Sequence, residues 1–306
     1  MPDPKHPEAS VIICVRNGGA TIRRQLEALD AQEDAPAFEV IVVDNGSTDD
    51  TLDVVREWQA RTRHATDEIR IVDAGGRPGI PRARNIGATA ARGRRLLFCD
   101  ADDRVCPGWV VAFVRGVDDG QLAGGRILAF DGQGVEHPEV FGPGLMESPY
   151  LPHVGNANCA VDRAAFFAAG GYDESLPRYG FEDVDLSWRM QEAGFPIVYV
   201  PGAVVHFTMS GAGTSLRKKF MPGRGRVLMA SRYPLYDNRR YTARVVLRDV
   251  ISTSLGALRA SLRQRSVDRA SAGRVVAAVG RVHGYIDYVL LRRLPERELL
   301  GTGRDS

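Results

Sequence analysis

Asp100-Ala101-Asp102-Asp103 places three carboxylates within four residues, directly after the apolar run Leu96-Leu97-Phe98-Cys99. Like charges this close raise one another's pKa unless a cation gathers them. Hard cations take oxygen ligands, and Mg2+ commonly uses one or two protein carboxylates together with substrate phosphates. The stretch therefore points to a metal and a diphosphate at the carboxyl edge of a sheet. The plainer reading is a polar loop whose aspartates cap turns.

The elements that must hold such a loop are legible. Val11–Val15 and Phe38–Val43 are short, apolar, β-branched runs of the kind that make buried strands. Ile69–Val72 and Arg95–Cys99 read as two more. Between them, Ile22, Leu26 and Leu29 predict a helix over 20–33, and Leu52, Val55 and Trp58 predict another capped by Thr48 or Asp49. A small-residue helix is expected over 81–92. Strands alternating with helices imply a mainly parallel, helix-covered sheet. Ligands of such sheets gather outside the carboxyl ends of the strands, where Arg16–Gly19, Asp44 and Asp100 fall. Residues 120–180, rich in Gly and Pro, read as substrate-binding loops. A helix over 184–193 and short strands at Ile197–Val200 and Ala203–Val205 follow.

The 306 residues are 44% hydrophobic and 25% charged, ordinary for a soluble globular chain. The net charge of +2 conceals a division: residues 216–306 hold 20 of the 40 Lys and Arg but 7 of the 38 Asp and Glu. From 240 to 293 the pattern is helical and basic. It reads either as an appendage with a solvated arginine face or as an interfacial helix on anionic lipid. No interleaved aromatic platform supports nucleic-acid binding. Cys14, Cys99, Cys106 and Cys159 lack CxxC spacing and are expected as free thiols in a reducing compartment. No apolar run reaches the roughly 18 residues of a membrane span, and the first residues lack a secretory h-region. The expected location is cytoplasmic, with peripheral membrane contact open.

One family carries these pieces in this order. Asn17 after the first strand, Val42-Val43-Asp44-Asn45-Gly46-Ser47-Thr48-Asp49, Arg82-Ala83-Arg84-Asn85-Ile86-Gly87, Cys99-Asp100-Ala101-Asp102-Asp103 and Gly180-Phe181-Glu182-Asp183 resemble family 2 glycosyltransferases of the GT-A fold. The resemblance covers about residues 9–215. It departs at Val15-Arg16-Asn17, where these enzymes often have Pro-x-Tyr-Asn. It implies an α/β GT-A catalytic domain over 1–215, with nucleotide binding in 9–110, acceptor binding in 111–215 and a helical region over 216–306. It further implies an inverting sugar transfer from a nucleoside-diphosphate sugar, UDP favoured, to an acceptor hydroxyl.

The resemblance also assigns residues. Asn17, Asp44, Asn45, Arg82, Arg84, Asp100 and Ala101 fall at the nucleotide. Asp102, with Asp100 and His206, falls at a Mg2+ or Mn2+ ion. Asp183 is the expected base, with Glu182 orienting the acceptor or sugar. Asp183 also reads as a helix N-cap. Asn156, Asn158 and Trp188 fall at the acceptor. Arginine suits phosphate because its planar fork donates two bonds at once. A nucleotidyltransferase would want a longer basic phosphate loop than Arg16-Asn17-Gly18-Gly19, and a dinucleotide dehydrogenase a GxGxxG that is absent. A non-catalytic nucleotide- or sugar-binding protein at a membrane surface is the alternative of another class.

Overall fold

Strand-forming runs punctuate the first hundred residues, and in the computed structural model they form strands with helices between them. The structure describes residues 7–60, 68–77, 79–177, 180–209, 216–233, 241–264 and 269–301. Ala9–Val15 (β1), Phe38–Asp44 (β2), Glu68–Asp73 (β3) and Arg95–Asp100 (β4) run parallel in the order β3-β2-β1-β4. Gly19–Asp30 (α1), Thr51–Gln59 (α2) and Ile80–Ala90 (α3) connect them. Helix α1 buries Ile22, Leu26 and Leu29, and α2 buries Val55 and Trp58, all in one core with Val11, Ile13 and Val40. Ile12, Ile41, Phe98 and Ala83 belong to a second core.

Beyond β4 the sheet is mixed. Arg104–Val105 (β5), Trp109–Gly116 (α4), Leu122–Phe130 (β6), Asn158–Asp162 (β7), Arg163–Ala168 (α5), Glu182–Glu192 (α6) and Ile197–Thr208 (β8) extend the order to β3-β2-β1-β4-β7-β6-β8-β5. Strand β7 is antiparallel to β4 and sets Asn158 opposite Cys99. The loop that enters β7 therefore starts beside Asp100.

Two expectations are corrected. The stretch 120–180 contains β6 and β7 as well as loops. A Cβ on Gly125 would collide with the Ala203 carbonyl and the Asn158 side chain, so the glycines that blur the strand pattern serve a close approach of backbones. The runs Ile197–Val200 and Ala203–Val205 form one strand, β8. Its pairing with β6 jumps from Gly125–Val200 to Arg126–Val204, and that irregularity absorbs Pro201 and Gly202.

The chain divides into two compact units, Met1–Glu174 with Asp183–Met209 and Glu298–Ser306, and Ser175–Glu182 with Ser210–Arg297. In the second, Leu216–Arg232 (α7), Ala243–Gln264 (α8) and Arg269–Gly284 (α9) precede a π-helical segment, Tyr285–Leu290. Val227, Leu228, Met229, Ala278 and Tyr288 are buried there, and Arg224 pairs with Asp287 at 2.9 Å. The unit boundaries differ from the expected 215/216 division, because 175–182 joins the helical unit and Glu298–Ser306 the sheet unit. No described helix is long and apolar enough to cross a membrane.

Candidate active site

The carboxyl ends of β1 and β2 are laced together by short polar side chains. Asn17 adopts φ 54°, a conformation that asparagine tolerates better than most residues. Its Oδ1 accepts from the Thr48 N–H at 2.8 Å, and its own N–H donates to Ser47 Oγ at 3.0 Å. Asp44 is buried, and its Oδ1 accepts from the Ser47 N–H at 3.0 Å. Asn45 Oδ1 accepts from the Gly79 N–H at 3.2 Å and so ties β2 to the start of α3. Arg82, one turn into α3, donates to the Ala74 carbonyl at 3.3 Å.

At the end of β4, Arg84 reaches from α3 to Asp100, with Nη2 3.1 Å from Oδ1. Ala101 is buried, and Asp102 is exposed while its carbonyl accepts from Arg24 Nη2 at 2.9 Å. Asp103 points inward. Its Oδ1 accepts from the Thr208 N–H at 2.8 Å and latches the loop to the end of β8. Its Oδ2 is buried and has no hydrogen-bond partner. Burial, then the Asp100 and Asp102 carboxylates, push Asp103 up to about 8. A crowded, oxygen-only donor set of this kind fits Mg2+ or Mn2+, which needs one or two protein carboxylates when phosphates complete its shell. Among the described residues no three His, Cys, Asp or Glu side chains form a group able to hold an ion. His206 sits beside a guanidinium instead, with Arg104 Nη2 2.9 Å from Nδ1 and the Phe130 ring 4.7 Å away. Burial and the Arg104 charge both lower its pKa. His206, Asp100 and Asp102, expected to share an ion, are not gathered around one point among the described residues.

Cys159 on β7 is buried. Its thiol is pushed up to about 12, chiefly by burial. Arg84 opposes that shift, while Asp183 and Asp100 add to it. Arg84, Asp100 and Asp183 thus lie within electrostatic reach of one buried sulfur. Asp183 is in the first turn of α6, not at its cap; its Oδ1 accepts from the Val184 N–H at 2.8 Å, and its carbonyl accepts from Ser187 Oγ at 2.7 Å. Glu182 opens the same helix and is buried. Asn156 Oδ1 accepts from Tyr172 Oη at 2.7 Å and lies 3.9 Å from Cys159 Sγ.

Asn158 and Trp188 do not fit an acceptor role. Asn158 is 1% exposed; its Nδ2 donates to the Arg126 and Ala203 carbonyls, and its Oδ1 accepts from Trp109 Nε1 at 2.7 Å. Trp188 is fully buried, with Nε1 donating to the Leu151 carbonyl at 2.8 Å. Their polar atoms are spent on the scaffold, which is the physical ground for the correction.

Tyr172 carries more than its place in a Gly-Gly turn suggested. Its ring packs edge-on against Phe98 and lies 5.7 Å from the Arg84 guanidinium. Asn85 clamps its backbone, accepting from the Tyr172 N–H at 2.8 Å and donating to its carbonyl at 2.9 Å. The available signal is Gly170-Gly171, both at positive φ (79° and 63°), which marks a turn made for close approach.

A parallel sheet that turns mixed, with carboxylates at its carboxyl edge and a second acidic pair opening a later helix, defines a GT-A domain. Residues 10–159 match the sequence model of Glycosyl transferase family 2. Validoxylamine A glucosyltransferase of Streptomyces hygroscopicus subsp. limoneus is 30% identical over 232 residues, 62% of this chain and 49% of that one. Pre-mycofactocin glycosyltransferase of Mycobacterium tuberculosis (strain CDC 1551 / Oshkosh) is 30% identical over 220 residues, 66% and 43% respectively. The chain thus spans about half the length of these curated relatives. Among solved structures, mannosyltransferase PcManGT from Pyrobaculum calidifontis, in complex with GDP-Man and Mn2+, superposes with a TM-score of 0.61 at 16% identity. That match covers 96% of this chain and 90% of the other. GalNAc-T7 with UDP, GalNAc and Mn2+ gives 0.57 at 19% identity, covering 76% and 52%.

Proposed function

We propose that this protein is an inverting glycosyltransferase that moves a sugar from a nucleoside-diphosphate sugar, UDP favoured, to an acceptor hydroxyl. The observation that carries the reading is the carboxylate loop at the end of β4, where Arg84 pairs with Asp100 at 3.1 Å and Asp103 keeps a buried oxygen without a hydrogen-bond partner. Family relatives that transfer sugars, and fold neighbours solved with UDP or GDP-Man, favour this donor class over a nucleotidyl donor.

In this reading Arg84 fixes the rotamer of Asp100, and Asp44 and Asn17 shape the rim where the nucleoside enters. Asp102, with Asp100, would hold a divalent cation, which when bound supplies Lewis-acid stabilisation of the leaving diphosphate. Asp183 takes the proton of the acceptor hydroxyl as its oxygen bonds to the anomeric carbon. The bond from that carbon to the diphosphate oxygen breaks, and the diphosphate leaves with the electron pair. Attack opposite the leaving group inverts the anomeric centre. The basic C-terminal region brings the enzyme to a membrane surface.

Titration of UDP with and without Mn2+ tests the reading, followed by a donor screen for released nucleoside diphosphate. Mn2+-dependent binding that disappears in Asp102→Ala supports it. Nucleotide binding indifferent to both Mn2+ and Asp102 overturns it. Binding without turnover on any donor favours the non-catalytic alternative.

A further inference from the structure

Helix α8 turns one face inward and leaves an aliphatic face in solvent. Val246 is buried, Val250, Thr253 and Ala257 are half-buried, and Asp249 pairs with Arg281 of α9 at 2.6 Å. On the opposite side Leu247, Ile251, Leu255, Leu258 and Leu262 are 47–70% exposed. At helical spacing these five fill a sector of about 80° and run about 22 Å along the axis. Arg248 and Arg259, both exposed, border that sector. Scattered exposed aliphatics are commonplace, but a contiguous row marks a contact surface. Of the 13 exposed large hydrophobics among the described residues, 11 lie between Leu247 and Leu294, in the unit that also holds most of the chain's excess positive charge.

Charge selects the occupant. The only carboxylate on α8 is Asp249, which is committed inward to Arg281. Two copies meeting through this face would bring arginine rows together, and like charges across an interface oppose association. An anionic bilayer satisfies both features, since it accepts aliphatic side chains at the headgroup boundary and pairs arginines with phosphate. We propose that α8 lies in the plane of an anionic membrane, with Leu247, Ile251, Leu255, Leu258 and Leu262 entering the boundary and Arg248 and Arg259 at the phosphates. This names the element behind the membrane-facing part of the function proposed above, and rests on that part alone.

The test is co-sedimentation of the full chain with phosphatidylcholine vesicles, with and without phosphatidylglycerol. Binding is expected only with phosphatidylglycerol. The triple variant Leu247→Ser, Ile251→Ser, Leu258→Ser is expected to bind at least about 100-fold more weakly. Arg248→Gln with Arg259→Gln is expected to bind about 25-fold more weakly, each charge near the surface contributing about fivefold. Equal binding by wild type and triple variant overturns the proposal, as does a lipid-free dimer that the triple variant abolishes. Thermal melting identifies any variant that fails to fold, and the arginine pair then decides alone. Mn2+-dependent UDP titration of the same proteins separates the two readings: lost vesicle binding with retained nucleotide binding leaves the enzyme assignment standing, and Asp102→Ala should bind vesicles normally.

Discussion

Replacing Arg84 with methionine removes a guanidinium from beside Asp100 while nearly conserving side-chain volume. The pair is 3.1 Å apart, where two unit charges attract by about 5 kcal/mol at an effective dielectric of about 20. Arg84 is buried, but the Asp100 side chain is 36% exposed, and solvent screening lowers the net contribution to about 1–2 kcal/mol. If the pair exists to fix Asp100 for the nucleotide, Arg84→Met should weaken Mn2+-dependent UDP binding about tenfold, since 1.4 kcal/mol is a factor of ten. Arg84→Lys should recover only part of the loss, because an ammonium lacks the planar fork. Calorimetric titration of wild type, Arg84→Met, Asp100→Asn and the double variant closes a cycle. The expected coupling is about 1 kcal/mol or more. Effects that add within about 0.3–0.5 kcal/mol would show that Arg84 does not act through Asp100, and the positioning role would fall. Melting curves on all four proteins keep a folding defect from passing as a binding defect.

Asp183→Asn should leave the UDP Kd within about twofold and lower kcat at least about 100-fold, the usual scale for losing a general base; single-turnover kinetics check it, and normal turnover would leave Asp183 with only its helix-end bonds. Asn158→Ala should lower stability by about 2–3 kcal/mol, because it strands Trp109 Nε1 and two carbonyls in the core, with the UDP Kd unchanged; a changed Kd at constant melting temperature would restore it to the site. Buried Glu39 is pushed up by burial, yet bonds from Ser10 Oγ, the Arg92 N–H and Arg70 outweigh this and hold it below the ordinary glutamate value. Its contribution to stability is therefore present above the unfolded pKa of about 4.3 and lost as pH falls through the lower folded value; Glu39→Gln should flatten that acid limb in denaturant titrations below pH 5 or so.

The parallel half of the sheet was legible because β1, β2 and β4 are buried on both faces and read as apolar runs, as in Val40–Val43. The helices between them showed their periodicity for the same reason. Legibility failed where backbone proximity replaced side-chain pattern. Strand β6 contains Gly124 and Gly125 because Val154, Asn158 and the Ala203 carbonyl stand where side chains would go, and such a neighbour is invisible from one strand alone. Asn158 and Trp188 have polar groups that suit a sugar as well as a core, and only burial distinguishes the two uses. The return of the chain at Glu298, whose N–H donates to buried Asp173 at 3.0 Å, has no local signal. Motif order gave the acidic residues; it did not give Tyr172 or Cys159, which act through volume and neutrality.

That neutrality has a physical consequence. Burial pushes the Cys14 and Cys159 thiols up to about 12 despite Arg84 nearby. Both therefore remain uncharged at neutral pH, and with Tyr172 and Phe98 they give Arg84 and Asp100 a weakly polar backing. Charges above such a backing interact more strongly than on an open surface, because less solvent competes for them. A carboxylate in place of Cys159 would add a third negative charge beside Asp100 and Asp183, opposed there by Arg84. A small neutral side chain there avoids that cost. Cys159→Ser, slightly smaller and equally neutral, should therefore preserve nucleotide binding, whereas Cys159→Asp should abolish it; equal UDP affinity in the two variants would refute the account of the backing.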